Sequence, residues 1–367
     1  MNDTPKTQVE QLVSPGSHVA VTGAAGFLGQ HITEALLAAG YRVSILARSA
    51  DKTAPFRGRV ERIVIGDIND GGAIAELVEN ADAVIHLVSN FRKASGPPAS
   101  YYATNLEGTR TTLDAARAAG VKRFLFCSTI GVHGHVETTP ADENSPYNPG
   151  DLYQQTKVQA EQLCLERARE STDMEIVILR PCSQYGPGDL RMLKMFRMLE
   201  KRTFLMLGPC RQNLHGVYID DVVDGFLRAL TTPGIHGEAF ILGGREYLPL
   251  RDYIAAAARA VGAPMPWIRL PYAPFYAASV VCEAVCVPFG VEPPLHRRRL
   301  RFYENNRAFS TRKAQERLGY QPAVSLELGL QRTVSWYREN GYLAPASELD
   351  KTRALTPEAN SRPRRTP

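Results

Sequence analysis

From His18 onward, short runs of apolar and β-branched residues alternate with alanine-rich stretches whose apolar positions recur every three or four residues. The runs are HVAVT, RVSILA, ERIVI, ADAVIHL, RFLFC and EIVIL, the last ending at Leu179, and between them fall Phe27–Ala39, Ala73–Val78, Tyr101–Ala119 and Leu152–Arg169. Strands of this kind, apolar almost throughout, belong in a parallel sheet, which is covered on both faces and so has no polar side. Helical stretches between them supply the crossovers. The pattern predicts an α/β fold built on a doubly wound parallel sheet of six strands spanning residues 17–185.

After Arg180 the punctuation changes. QYGPGD and LGPCRQ are broken by Gly and Pro, with an apolar helix at Met192–Leu199 between them. GVYIDDVVDGFLRAL and EAFIL then read as a return to the core, over residues 214–243. Helical patterns follow at Arg251–Val261, Ala273–Cys286, Arg312–Leu318 and Leu326–Asn340. Residues 186–213 and 244–345 are therefore expected to form a smaller, mostly helical substrate-binding lobe. Residues 1–16 are expected to be flexible, and 346–367 to be a disordered basic tail.

Composition narrows the function classes. The 367 residues are 44% hydrophobic and 22% charged, which excludes a disordered or fibrous chain. The formal net charge of +5 raises the question of a polyanionic partner. Lys351, Arg353, Arg362, Arg364 and Arg365, set against Asp350 and Glu358, place +3 of it in the last 18 residues, so the remaining 349 carry only +2. Nucleic acid is not the expected partner. Six cysteines (Cys127, Cys164, Cys182, Cys210, Cys282, Cys286) include no C-x-x-C pair, so free thiols in a reducing compartment are expected and no metal site is predicted. The first 17 residues, MNDTPKTQVEQLVSPGS, lack the apolar core of a secretory signal, and the expectation is a cytoplasmic chain.

Two features carry chemistry. In TGAAGFLG, Gly23, Gly26 and Gly29 follow strand HVAVT and open a helix, so the backbone of Gly23–Gly29, with Ala25, Phe27 and Leu28 between the glycines, can approach a pyrophosphate at the positive end of that helix. The bland reading is a tight turn of small residues. A dinucleotide site usually has an acid at the end of the second strand for the adenosine ribose; here Ala47 stands there with Arg48 beside it. Arg48 can pair with a 2′-phosphate, which favours NADP over NAD, or it can be a solvated surface residue. Asp67, after the third strand, can accept from the adenine amino group or be a loop acid.

The second feature is Tyr153 and Lys157 in DLYQQTKVQAE, four residues apart and so on one helix face. A free tyrosine has a pKa near 10, and bringing it to neutrality takes about 4 kcal/mol; a nearby ammonium is expected to supply part. Tyr153 can then exchange a proton with a substrate hydroxyl while a nicotinamide takes or gives hydride. Ser128 and Thr129, in FLFCSTIGVHG, sit at the carboxyl edge of the sheet, where open α/β folds bind ligands and a hydroxyl can orient the reacting oxygen.

In this arrangement the chain resembles the extended short-chain dehydrogenases, the NAD-dependent epimerase/dehydratase family. TGAAGFLG, HLVS at His86–Ser89, NLEGT at Asn105–Thr109, CST ending at Thr129, YQQTK, RPCSQYGPGD and VYIDDVV match its landmarks in order, over roughly Ser17 to Leu343. The resemblance implies that Thr129, Tyr153 and Lys157 are catalytic, with Ser128 adjacent. It implies that Lys157 also holds the nicotinamide ribose. Ile68, Leu87, Val88, Asn105, Pro181 and Ser183 complete the implied cofactor contacts. Asn105 is equally read as a buried polar residue bonded to backbone. The family also implies pairing of two copies through the helices after Asn105 and Tyr153.

Departures from the pattern sharpen the expectation. Dehydratases carry Asp and Glu directly after the serine or threonine, and this chain has Ile130 and Gly131. Nucleotide-sugar epimerases usually have Asn where Ser183 stands and Arg where Leu214 stands, both for the substrate diphosphate. The segment EPPLHRRRLRFYENNRAFSTRKAQERLGYQP is similar to the C-terminal region of the 3β-hydroxysteroid and sterol dehydrogenase branch, which acts on bulky apolar alcohols. The stretch Ala273–Val291 contains Glu283 and Pro288, too polar for a transmembrane helix. It is read as the lining of an apolar pocket, as a core helix, or as a peripheral membrane contact across residues 273–301 with Arg297, Arg298, Arg299 and Arg301 near headgroups. The expected activity is an NADP- or NAD-dependent oxidoreductase interconverting a secondary alcohol and a ketone of a small-molecule substrate. The alternatives are an epimerase with tightly held NAD and a non-catalytic NAD(P)-binding regulator.

Overall fold

The computed structural model describes residues 12–91, 97–291, 293–295 and 297–345, with the side chains of 287, 298, 299 and 301 left aside. Most of the expected flexible N-terminal stretch, the whole basic tail, and the side chains of Arg298, Arg299 and Arg301 lie outside this description.

The strands are β1 (His18–Thr22), β2 (Arg42–Ala47), β3 (Arg62–Ile65), β4 (Ala83–His86), β5 (Arg123–Cys127), β6 (Glu175–Pro181), β7 (Ser183–Tyr185), β8 (Met206–Leu207), β9 (Asn213–Leu214), β10 (Gly216–Tyr218), β11 (Ala239–Leu242), β12 (Leu248–Pro249) and β13 (Arg269–Leu270). The helices are α1 (Phe27–Ala38), α2 (Gly71–Val78), α3 (Pro98–Tyr102), α4 (Gly108–Ala118), α5 (Leu152–Glu170), α6 (Leu193–Glu200), α7 (Ile219–Thr231), α8 (Leu250–Val261), α9 (Tyr272–Cys286), α10 (Arg297–Leu300), α11 (Arg312–Leu318) and α12 (Leu326–Glu339).

The fold is α/β on a seven-stranded sheet in the order β11-β6-β5-β4-β1-β2-β3. Every pair in it is parallel. The strand order reverses between β1 and β4, and that switch point opens a crevice at the carboxyl edge, where such sheets bind ligands. The short run EAFIL becomes β11 and adds a seventh strand beside β6, with Phe240 opposite Leu179.

Apolar side chains fill both faces. On one side Ile74 and Leu77 of α2, Leu113 of α4 and Leu163 of α5 pack on Val84 and Phe124. On the other, Ile32 and Leu36 of α1 and Val222 and Phe226 of α7 form a cluster that continues without a break through Phe196, Ile254, Leu330 and Tyr337. The C-terminal lobe thus shares its core with the sheet, and its helices are joined by three two-stranded pairs, β10 with β7, β12 with β9 and β13 with β8.

Local chemistry sets the helix starts. Asp70 caps α2 by accepting from the N–H groups of Gly72 and Ala73, and Asp151 caps α5 by accepting from Gln154 N–H. The helix expected over Tyr101–Ala119 divides into α3, a π turn at Ala103–Glu107, and α4. Such widened turns recur at functional sites, and this one carries Asn105. Of α9, only Ser279 is buried, whereas Val281 is 64% exposed and Val285 59%. It is therefore not a core helix. No described helix is long and apolar enough to cross a membrane.

Candidate active site

The glycine turn connects β1 to α1. Gly23 has φ +78°, a left-handed conformation, and a Cβ there would meet Val88 N at 3.0 Å. A Cβ at Gly29 would stand 2.1 Å from the Gly23 carbonyl oxygen, so only glycine lets α1 seat against the turn. Gly26 caps α1 without a side chain, and no acid lies in the first turn. The opening N–H groups of α1 are therefore unoccupied by a cap, and helix polarity favours an anion there. This cradle fits the pyrophosphate of a dinucleotide. Leu28 is buried in the core and Ala25 and Phe27 are half-buried, so what this turn offers a ligand is main chain. The YGPGD segment folds over the same turn: His31 Nε2 lies 3.0 Å from Pro187 O, and the Arg191 guanidinium stands 5.3 Å from the Phe27 ring.

Arg48 and Asp67 emerge beyond β2 and β3 on the same edge, both exposed. Arg48 makes no hydrogen bond or ion pair within the described residues. Asp67 Oδ1 accepts from Asn69 N–H at 3.1 Å and from Asn69 Nδ2 at 3.0 Å, and its second oxygen is left for a ligand. Ile68 is buried against Gly108, where a Cβ would stand 2.8 Å from its Cγ2. After β4, Leu87 N–H donates to Thr22 O at 3.2 Å, holding Leu87 and Val88 half-exposed beside Gly23. Pro181 ends β6 and is buried; Ser183 begins β7 and donates its N–H to His215 O at 3.0 Å.

The candidate catalytic group lies between β5 and α5. Tyr153, on the first turn of α5, hydrogen-bonds through its hydroxyl with Thr129 and with Ser89, and the hydroxyl pKa is pushed up to about 12, chiefly by burial. Thr129 Oγ1 also accepts from Gly131 N–H at 3.1 Å, which fixes its rotamer. The Phe91 ring meets Tyr153 edge-on at 4.8 Å between centroids. Lys157 lies deeper than its spacing suggested. Its Nζ donates to Cys127 O at 2.7 Å and sits 4.0 Å from the Phe126 ring centroid. The expected lowering of the Tyr153 pKa by Lys157 is therefore corrected: the ammonium is held by the end of β5, and among the chain's own groups the opposing influences of burial, Cys127 and Asp151 prevail.

Two further residues expected at the site are engaged by the protein's own groups. Ser128 is 4% exposed, and its Oγ donates to Glu161 Oε2 at 2.6 Å. The backbone alternation at the strand end turns neighbouring side chains to opposite sides, and Thr129 alone faces the crevice. Asn105 is 1% exposed; its Oδ1 accepts from Asn90 N–H at 2.7 Å, and its Nδ2 donates to Asn90 O at 3.2 Å and Thr156 Oγ1 at 2.9 Å. Its side-chain amide donors are spent inside the protein. Asn105 thereby pins the loop bearing Ser89 to the helix bearing Tyr153.

Residues the sequence did not single out support this group. Glu161, one turn after Lys157, is fully buried and paired with Arg180, and it also accepts from Tyr147 at 2.6 Å. Arg180 reaches His133 Nε2 at 3.1 Å. The signal available was the i,i+4 spacing of Lys157 and Glu161 on a face otherwise apolar. Ile130 is buried and Gly131 has no side chain, so no carboxylate follows Thr129.

Residues 19–243 match the family model described as the NAD dependent epimerase/dehydratase family. The chain is 28% identical over 340 residues to a 3-beta-hydroxysteroid dehydrogenase of Mycolicibacterium neoaurum, covering 88% of this chain and 91% of the relative. It is 31% identical over 340 residues to a UDP-glucose 4-epimerase of Mycolicibacterium smegmatis, covering 87% and 97%. Among solved structures, a dTDP-glucose 4,6-dehydratase from Streptomyces venezuelae with NAD bound superposes with a TM-score of 0.70 at 28% identity, covering 89% of this chain and 99% of that one.

Proposed function

The chain belongs to the NAD-dependent epimerase/dehydratase family and is an oxidoreductase of the extended short-chain dehydrogenase type; from that premise we propose that it interconverts a secondary alcohol and a ketone on a bulky, partly apolar substrate, with NADP preferred over NAD. One observation carries the reading: the Tyr153 hydroxyl, bonded to Thr129 and Ser89, stands at the carboxyl edge of the sheet, on the same edge as an uncapped glycine cradle. The cradle at Gly23, Gly26 and Gly29 holds the pyrophosphate, Asp67 the adenine, and Arg48 a 2′-phosphate. A bound nicotinamide supplies or accepts the hydride. Tyr153 moves the proton at its Oη, and Thr129 Oγ1 orients the substrate oxygen beside it. With its pKa near 12 the phenol rests protonated at neutral pH, the form that donates to a ketone oxygen. Lys157, anchored on Cys127 O, presents its remaining donors to the nicotinamide ribose. Residues 186–213 and 244–345 form the substrate lobe.

Replacing Tyr153 with Phe removes the exchangeable proton and keeps the ring. Turnover should fall by at least about 100-fold, the usual contribution of a positioned acid or base, while cofactor binding is preserved; unchanged turnover would sink the assignment. The relative affinities for NADPH and NADH, and their convergence in Arg48→Ala, test the cofactor preference.

An epimerase with tightly held NAD is the second reading, favoured by the 31% identity to a UDP-glucose 4-epimerase. Against it, Leu214 is buried in the core, and Ser183 brings no amide, so the positions that would hold a substrate diphosphate carry no such group. Mass spectrometry of cofactor released on denaturation separates the two: stoichiometric NAD supports the epimerase, an exchangeable site the dehydrogenase.

The exposed face of α9, with Trp267 at 85% and Phe289 at 80% exposure beside it, is proposed to rest on an anionic lipid surface. Co-sedimentation with phosphatidylserine vesicles, lost in Val281→Glu/Val285→Glu, is the expected result. Two copies are proposed to pair through α4 and α5, which light scattering measures.

A further inference from the structure

Residues 186–191, which follow β7, fold back over the start of α1. Pro187 O accepts a hydrogen bond from His31 Nε2 at 3.0 Å. Gly188 lies against the first residue of the helix: a Cβ there would stand 3.6 Å from Phe27 Cδ2 and 3.9 Å from His31 Nε2. At the end of the segment the Arg191 guanidinium stands 5.3 Å from the Phe27 ring. The opening N–H groups of α1 have no side-chain cap and no acid in the first turn. The fold thus sets a cation beside the positive end of a helix, an arrangement that is unfavourable on its own and favourable once an anion lies between the two.

Arg191 is pinned in place. Asp189 Oδ1 accepts from Arg191 N–H at 2.9 Å and from Nε at 2.7 Å, Asp189 Oδ2 accepts from Nη2 at 3.0 Å, and Gln184 O accepts from Nη2 at 2.9 Å. These bonds use the Nε and Nη2 side of the guanidinium and leave Nη1 with no hydrogen-bond partner among the described residues. The Asp189 side chain is 1% exposed and that of Arg191 33%, so the ion pair is buried at its negative end and open at its positive end. Asp189 is anchored in turn, since its N–H donates to Gly186 O at 3.1 Å and its carbonyl accepts from the Tyr337 hydroxyl of α12. A guanidinium whose rotamer is already fixed loses little further freedom when Nη1 takes an oxyanion.

We propose that Arg191 is a cofactor-binding residue whose Nη1 donates to an oxygen of the pyrophosphate held at the glycine turn, and that Asp189 is the positioning residue that fixes it there. The inference rests on the dinucleotide reading of the glycine turn proposed above and adds to it a side chain from the segment after β7. The contact falls on the part that NADP and NAD share, so Arg191 governs affinity for both, whereas Arg48 governs the choice between them.

Calorimetric titration with NADPH, NADH and ADP-ribose, all of which carry the pyrophosphate, tests the assignment without turnover; adenosine, measured by competition, carries none. Arg191→Met should weaken the three pyrophosphate probes by one common factor of about 10- to 50-fold, the range of a charge-assisted hydrogen bond at a partly exposed site, and leave adenosine unchanged. Raising NaCl from about 50 to about 500 mM should weaken NADPH binding less in the variant than in wild type, because the screened charge is gone; a residue that only shapes the loop would not alter that dependence. Arg191→Met leaves the buried Asp189 carboxylate without its partner, so Arg191→Gln/Asp189→Asn, which lacks both charges, repeats the titrations and should show the same loss. Wild-type affinity in the double variant, a loss that extends equally to adenosine, a loss confined to NADPH, or an unaltered salt dependence each overturns the proposal. A wild type that binds none of the pyrophosphate probes sinks the dinucleotide reading and this inference with it; one that binds all three with affinities indifferent to Arg191 sinks this inference alone.

Discussion

Glu161→Gln removes one negative charge from behind the reacting centre and changes little else in shape. Glu161 is 0% exposed and Arg180 2%, and the pair is the hub of a closed network. Arg180 Nε donates to the two carboxylate oxygens at 3.0 and 3.2 Å, while Ser128 and Tyr147 each donate to the carboxylate at 2.6 Å. Desolvation alone would depress the Arg180 pKa; the charge and hydrogen bonds of Glu161 outweigh it and raise it instead. Without that carboxylate, Arg180 keeps the Glu143 carbonyl, Tyr147 and His133 as hydrogen-bond partners and only the weaker attraction of the Glu143 charge. Removing one partner of a buried pair costs about 3–5 kcal/mol, because the remaining charge is uncompensated. Unfolding entropy near 2.1 cal/mol/K per residue gives, for 367 residues, about 0.8 kcal/mol/K. The melting temperature should therefore fall by about 4–6 °C, read by differential scanning calorimetry at pH 7.5. Replacing both members, in Glu161→Leu/Arg180→Leu, removes the charge along with its partner and should recover a large part of the loss. A single variant melting within about 1 °C of wild type, or a double variant no better than the single, would refute the reasoning.

Gly29→Ala places a Cβ where the Gly23 carbonyl oxygen stands, 2.1 Å away, and forces α1 off the turn at a cost of about 1–3 kcal/mol. The dissociation constant for NADPH in a fluorescence titration should rise at least about tenfold, and an unchanged value would remove this turn from the cofactor site. His86 is held at a pKa of about 3, first by burial and then by the charge of Lys157. An unfolded histidine titrates near 6.5, so as pH falls from 6.5 toward 3 the unfolded chain binds a proton that the folded one refuses. Stability is therefore lost with acidification over that window, by up to roughly 1.4 kcal/mol per pH unit from this group. Urea melts at pH 7 and pH 4.5 should show a smaller difference in His86→Gln than in wild type; equal differences would clear His86 of the effect.

The strands and helices were legible because each is decided by a few neighbouring residues: apolar runs for strands inside a covered sheet, a three-to-four-residue period for helices, and Asp70 and Asp151 as caps. The glycine turn was legible for the same reason, as steric demand at Gly23 and Gly29 arises within one turn of chain. Thr129 and Tyr153 could be paired because the first follows the end of a strand and the second lies in the opening turn of the helix beside it. Other features depended on contacts between distant segments. Ser128 and Thr129 look alike in sequence, and only the buried Glu161 draws one away from the crevice. Asn105 reads as a cofactor ligand until Asn90 and Thr156 take its amide. Whether α9 was core or surface depended on what packed against it, which its own apolar composition could not state.

By itself the sequence determined the parallel α/β sheet, the glycine turn that opens α1 and the tyrosine and lysine on one helix face, since propensity, periodicity and backbone sterics act over a few residues. Tertiary structure alone decided which polar side chains face ligand and which face each other. That choice turns on desolvation: a buried polar group takes whatever partner the fold brings within about 3 Å, and for Glu161, Arg180 and Asn105 those partners come from remote parts of the chain.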